Sequence, residues 1–255
     1  MLLAINVGNT EMKLGVFSDR TLSFSRRLAT HPDRTADELA LLFGGFLEQE
    51  GLSFSRQITG VAISSVVPSM TQALRDMTRR YFHFDPVVVG PGVKTGMAVL
   101  TDNPREVGAD RIVNGIAAFD RYGGPCIVVD FGTATTYDVL SEQGEFLGGV
   151  IAPGLEVSAV GLSRVADRLP RVEITAPRSV IGKNTVEAIQ AGLVFGTAAE
   201  VDGIVERIQK ELGPANVVAT GGLAPVVMPH CTSIDQHDQW LTLEGLRIVF
   251  ERNTE

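Results

Sequence analysis

One local plan occurs twice in this chain of 255 residues, and the duplication constrains the fold more than any other feature. Near the start, Ile5-Asn6-Val7-Gly8 closes an apolar stretch and opens onto Asn9-Thr10. Near the middle, Val129-Asp130-Phe131-Gly132 does the same and opens onto Thr133-Ala134. The flanking patterns repeat as well. Short apolar and β-branched runs at 2–7, 13–17 and 21–28 predict three consecutive strands joined by tight turns, and runs at 126–131, 135–140 and 146–151 predict the same trio. Each trio leads into helices and further strands. Such a pattern predicts an α/β protein of two similar lobes, 1–115 and 116–255, joined near 115–124, with a ligand in the cleft between them.

The remaining elements follow from spacing and caps. Thr35 and Glu38 form a capping box ahead of the stripe Leu39, Leu42, Phe43, Phe46 and Leu47, which stops at Gly51. A strand is expected at 60–67, a helix at 69–82, a strand at 86–89 and a helix at 108–122. In the second half, helices are expected at 156–167 and at 185–212, the latter behind Asn184 and Glu187 as a capping pair. A strand at 217–220 and a helix at 243–252 complete the chain.

Composition narrows the function. At 44% hydrophobic and 20% charged, the chain can build a sizeable core and is not disordered. Its net charge of −8 argues against a general nucleic-acid binder, which needs a basic surface to displace counterions. Arg75, Arg79 and Arg80 read as a solvated helix face. Cys126 and Cys231 sit in no metal-like spacing and read as reduced, buried thiols of a cytoplasmic protein. The start of the chain has no basic n-region. No uninterrupted apolar run reaches the roughly 18 residues that span a bilayer. The expectation is a cytosolic protein with neither membrane nor nucleic acid as partner.

The two turns carry the first chemistry. A Gly-Thr turn between strands offers backbone N–H groups and hydroxyls with no bulky side chain in the way, and two of them can hold a polyphosphate. Gly8, Asn9 and Thr10 make one; Gly132, Thr133, Thr135 and Thr136 make the other. Neither is a Walker A loop. Lys13 reads either as a phosphate-neutralising cation or as an exposed strand lysine. The densest polar run, Asp102-Asn103-Pro104-Arg105-Glu106-Val107-Gly108-Ala109-Asp110-Arg111, ends where a helix begins. There Asp110 reads either as a helix-stabilising acid or as a carboxylate able to orient a hydroxyl and accept its proton. Arg111 can clamp a carboxylate. Gly221 and Gly222 close a strand, either as an ordinary turn or as a flat seat for a ring such as adenine.

Together these stretches resemble the type III pantothenate kinases, also called the Bvg accessory factor family. The resemblance rests on Val7-Gly8-Asn9-Thr10, the polar run from Asp102 to Arg111, and Val129-Asp130-Phe131-Gly132-Thr133-Ala134-Thr135-Thr136. It extends through Ser179-Val180-Ile181-Gly182-Lys183-Asn184-Thr185 and Thr220-Gly221-Gly222-Leu223-Ala224. It implies an actin-like fold of two ribonuclease H-like lobes, as in acetate and sugar kinases, Hsp70 and actin. It implies ATP-dependent phosphorylation of pantothenate to 4′-phosphopantothenate, the first step of coenzyme A synthesis. It further implies Mg²⁺ with ATP, a monovalent cation (K⁺ or NH₄⁺), and a homodimer with the pantothenate site near the subunit interface.

Position by position, the resemblance assigns Asn6, Val7, Gly8, Asn9, Thr10, Glu11, Met12 and Lys13 to ATP, with Thr133, Gly221 and Gly222. It assigns Thr101, Gly108, Ala109, Asp110, Arg111 and Thr185 to pantothenate, with Asp110 also the proton acceptor. Asp130 is assigned to the monovalent cation. Two positions depart from the family pattern: Asn6 stands where an Asp is usual, and Thr101 where a Tyr is usual. An amide brings no charge to a magnesium site, and Glu11 is the neighbouring carboxylate that could supply it. Two readings follow: an active kinase, and a catalytically impaired paralogue that binds nucleotide and serves as a regulatory or binding protein.

Overall fold

A computed structural model of the chain describes residues 1–54, 56–166 and 168–254. The first half opens with β1 (Leu2–Val7), β2 (Glu11–Ser18) and β3 (Thr21–Ala29). Then come helix α1 (Ala36–Gln49), β4 (Gly60–Ser65), helix α2 (Pro68–Met77), β5 (Val87–Val88) and helix α3 (Ala109–Tyr122). The strands form one sheet in the order β3-β2-β1-β4-β5. Strand β1 runs antiparallel to β2 and parallel to β4. It reads as a continuous apolar run because both its faces are covered. Leu3, Ile5 and Val7 enter a core with Leu39, Phe43 and Leu47 of α1 and Met70 and Leu74 of α2. Each of these fully buried side chains contributes about 1.5–3 kcal/mol relative to exposure.

The second half repeats the plan. It comprises β6 (Cys126–Phe131), β7 (Ala134–Leu140), β8 (Phe146–Pro153), helix α4 (Leu155–Val165), helix α5 (Thr185–Leu212), β9 (Asn216–Thr220), helix α6 (Ala224–Val227) and β10 (Gln236–His237). The sheet order is β10-β9-β6-β7-β8. Read from the other edge, it is the first sheet's order, with β6 antiparallel to β7 and parallel to β9. The duplication seen in two tetrapeptides is therefore a duplication of whole sheets. By length and composition alone α5 could cross a membrane. In this unit it is a core helix: Ala198, Val201 and Val205 pack on the sheet, and Glu200 accepts a hydrogen bond from the buried Tyr137 hydroxyl at 3.1 Å.

The last element, α7 (Leu241–Thr254), returns to the first sheet and packs on β1, β2 and β4. The compact units are accordingly discontinuous. One comprises Met1–Met97, Asp102–Ala117 and Leu241–Glu255; the other comprises Ala98–Thr101 and Ala118–Trp240. The sequence proposal of lobes 1–115 and 116–255 followed chain order, which carries no sign of a helix that folds back onto the first sheet.

Both expected caps are present. The Thr35 hydroxyl accepts from the Glu38 N–H and the Glu38 carboxylate from the Thr35 N–H, while Asn184 Oδ1 accepts from the Glu187 N–H. Several boundaries differ. The helix expected over 69–82 begins at Pro68 and becomes a π-helical turn over Thr78–Phe82. The strand expected to reach 67 stops at Ser65, whose hydroxyl caps the turn into α2. The helix expected over 156–167 is Leu155–Val165, and its expected end, Asp167, lies outside the described residues. Helix α6 and strand β10 were not expected, being too short for a periodic signal.

Candidate active site

Each unit presents its own hairpin. In the first, Val7 and Met12 are the last paired residues of β1 and β2. The Gly8 N–H donates to the Glu11 carbonyl at 2.9 Å and closes the turn. Thr30, at the end of β3, pins it twice: its hydroxyl donates to the Gly8 carbonyl at 2.8 Å, and its N–H to the Thr10 carbonyl at 2.9 Å. Asn9 and Thr10 stand exposed. The strands thus hold the turn rigid while its tip faces solvent.

Asn6, one residue before the turn, pairs across the ladder with Lys13 on β2 and Ser64 on β4. The fully buried Ser64 hydroxyl donates to Asn6 Oδ1 at 2.9 Å. Glu11 is committed elsewhere: its carboxylate accepts from Arg27 Nε at 2.7 Å. The turn thus offers one amide oxygen, which already accepts from Ser64, and one carboxylate, which is already paired with Arg27. Among the described residues, no group of three or more His, Cys, Asp or Glu could hold a metal. With a single carboxylate, and that one ion-paired, the hairpin is a poor fit for a Mg²⁺ held by protein groups alone.

The Asp110 segment belongs to the same unit. A short 3-10 turn over Pro104–Glu106 is capped by Asn103, and α3 starts three residues later. Asp110 Oδ1 accepts from the Arg111 N–H at 2.9 Å, and its second oxygen makes no hydrogen bond among the described residues. Gly108 makes room for this carboxylate: a Cβ there would stand 2.6 Å from Asp110 Oδ1. Helix α3 meets α7, where Val113 lies against Gly245. Helix α7 covers the sheet face opposite the α1–α2 core, as Phe250 lies against Gly60 of β4. Asn6, Ser64 and Lys13 point to that same face, because their strand neighbours fill the opposite core. The first unit therefore gathers two of the expected segments on one side of its sheet.

In the second unit, Asp130 occupies the place of Asn6. It pairs with Thr136 on β7 and Thr220 on β9. Its turn is one residue shorter, closed by the Gly132 N–H on the Ala134 carbonyl at 3.1 Å. Gly221 lies against it in a left-handed conformation (φ +97°), and a Cβ there would sit 2.5 Å from the Phe131 nitrogen and 2.6 Å from Asp130 Oδ1. The Asp130 carboxylate is a hard oxygen donor, the kind of group that alkali cations take. Thr133 is exposed at the turn. Thr101 ends a segment that extends β8, through Leu100 N–H to the Phe146 carbonyl at 2.8 Å. Its buried Oγ1 has no hydrogen-bond partner among the described residues.

Thr185 is exposed at the first position of α5. Beside it, the Glu187 carboxyl is held below its ordinary range by the Lys183 N–H and then by the Arg178 guanidinium, both at 2.9 Å. The sequence reading missed Thr30, Arg27 and Ser64. Their roles arise from pairing across the sheet, and no local motif marks them.

Comparison with known proteins gives the family and the fold. A profile of the type III pantothenate kinase family matches residues 2–207. A type III pantothenate kinase of Acidothermus cellulolyticus is 57% identical over 255 residues, covering 99% of each chain. A solved structure of a Campylobacter jejuni protein assigned to the Baf family superposes with a TM-score of 0.59 at 20% identity over 98% of each chain. A ROK-family glucokinase of Streptomyces griseus, solved with glucose and AMPPNP, gives 0.54 at 12% identity, covering 98% of this chain and 99% of that one. At such low identity these two likenesses speak for the fold alone, which is that of the actin-like kinases.

Proposed function

This chain belongs to the type III pantothenate kinase family, and we propose that it phosphorylates pantothenate with ATP to give 4′-phosphopantothenate through the residues described above. It is a kinase of the coenzyme A pathway. The binding-only alternative finds no support among its relatives. The single observation that carries the catalytic assignment is the Asp110 carboxylate, with one oxygen fixed by the Arg111 N–H and the other open.

In this reading Asp110 orients the primary hydroxyl of pantothenate and takes its proton as the γ-phosphoryl group is transferred in line. Arg111, Gly108, Ala109, Thr101 and Thr185 contact pantothenate. The hairpin of residues 6–13 grips the phosphates of ATP, as does Thr133, with Gly221 and Gly222 on the nucleoside side. Magnesium arrives as part of the Mg·ATP substrate, held by its phosphates. Asp130 is the residue that would hold K⁺ or NH₄⁺, and the cation would supply positive charge for an anionic substrate.

We place the protein in the cytoplasm and propose that it is a homodimer. The second unit carries exposed Leu100, Ile151, Val165, Val180 and Ile181, each more than half accessible. Its edge strand β8 is largely open along its length. Both are features a second copy would cover. Sedimentation at micromolar concentration tests this, and a monomer would count against it.

The test of the catalytic reading is Asp110→Asn. Turnover should fall by about 10²–10⁴, the usual contribution of a general base, while ATP binding persists. Turnover near that of the unaltered protein would show the base assignment to be wrong.

A further inference from the structure

The two hairpins are equivalent in topology and opposite in charge. Across the first sheet, Ser64, Asn6, Lys13 and Arg27 stand in one register row on β4, β1, β2 and β3. The equivalent row of the second sheet is Thr220, Asp130, Thr136 and Ile151. One row carries an amide and two cations; the other carries a carboxylate and no cation.

The Ser64 hydroxyl decides what the amide can do. A fully buried hydroxyl needs an acceptor, and Asn6 Oδ1 provides it at 2.9 Å. With Oδ1 turned to β4, the NH₂ group faces away from β4, where it can only donate. Next to it in the row, the Lys13 ammonium makes no ion pair among the described residues. The one carboxylate of the turn, Glu11, is taken by Arg27.

We infer that Ser64 locks Asn6 as a hydrogen-bond donor, so that Asn6 Nδ2 and Lys13 Nζ together form a phosphoryl-oxygen grip that needs no divalent ion. Asn6 is then not a weakened metal ligand. The first hairpin binds the anion directly, and the negative charge that a cation answers is confined to Asp130. Ser64 is a positioning residue: it acts through Asn6 and does not itself touch the phosphate. This inference rests on the proposed placement of ATP phosphates at residues 6–13.

The test is equilibrium binding of inorganic tripolyphosphate in EDTA, by calorimetry, to the full chain. Asn6→Asp keeps an acceptor for Ser64 but puts a carboxylate where the NH₂ was. It should weaken metal-free binding by about tenfold or more, the scale of one charge-assisted hydrogen bond, and Mg²⁺ should restore much of the loss. Ser64→Ala frees the amide to turn and should weaken metal-free binding several-fold, with Ser64→Thr restoring it. Thermal melting of each variant verifies that it folds.

Metal-free binding by Asn6→Asp at or above that of the unaltered protein overturns the inference. So does unchanged binding by Ser64→Ala, or no binding by the unaltered protein. The kinase reading fails separately. If the binding changes occur as stated but no phosphopantothenate forms, the grip stands and the reaction assignment falls. If product forms while Asn6→Asp binds metal-free tripolyphosphate undiminished, the reaction stands and the grip falls.

Discussion

Gly221→Ala should destabilise the second unit by crowding Asp130 and the β6 backbone. Gly221 has φ +97°, where an L side chain is strained by about 1–2 kcal/mol. The added Cβ would also press within 2.5 Å of the Phe131 nitrogen and 2.6 Å of Asp130 Oδ1. Neither neighbour is a flexible chain end: one is strand backbone, the other a short carboxylate rooted in β6. Overpacking of this kind costs about 1–3 kcal/mol. The sum is about 3 kcal/mol, or roughly 6–12 °C in Tm for a chain of this size. Trp240, the single tryptophan, lies in the same unit, so its fluorescence follows the relevant unfolding. Gly196→Ala is the control. It sits exposed in α5 with nothing within 4 Å of the new methyl, and should gain about 0.5–1 kcal/mol. A Gly221→Ala protein melting within 2 °C of the unaltered one would refute the close approach between Gly221 and Asp130.

Two further expectations concern titrating groups. Burial raises the Asp202 carboxyl, but hydrogen bonds from Ser233 and Thr232 outweigh it and set the net pKa below the ordinary 3.8. A carboxylate with a depressed folded pKa contributes stability that is present above its unfolded pKa and lost as pH falls through the folded one. The stability difference between the protein and Asp202→Asn should therefore be constant at neutral pH and shrink below about pH 4; a difference unchanged down to pH 3 would contradict it. Burial pushes both the Cys126 and Cys231 thiols up to about 12; Cys126 is buried as expected, but Cys231 is only half-buried, so at pH 8 Cys126 should not react with a disulfide reagent until urea unfolds the chain and Cys231 should react slowly. Rapid labelling of either in the native state would show an open thiolate.

Periodic patterns and caps made most of the fold legible. The trio at the head of each half, the capping box at Thr35 and the full extent of α5 all follow from residue spacing. Strand β10 is two residues long, below the length at which alternation can be recognised, while β5 was expected at 86–89 and is shorter, Val87–Val88. The return of α7 to the first sheet is invisible locally, because an amphipathic helix does not encode which sheet it covers. The site divides in the same way. Asp110 and the two turns announce themselves as polar clusters at element ends. Ser64 does not: it reads as one polar residue late in a strand, and its role comes from the parallel pairing of β4 with β1. The internal comparison of Asn6 with Asp130 pointed to position 6. Only the Ser64 hydroxyl shows what the amide there is arranged to do.

With Asn6 as it stands, this chain should be a working pantothenate kinase. The most direct measurement gives the purified protein ATP, Mg²⁺, K⁺ and pantothenate and follows both products. The expected result is one phosphopantothenate formed for each ATP consumed. Nucleotide binding without any phosphopantothenate would contradict it.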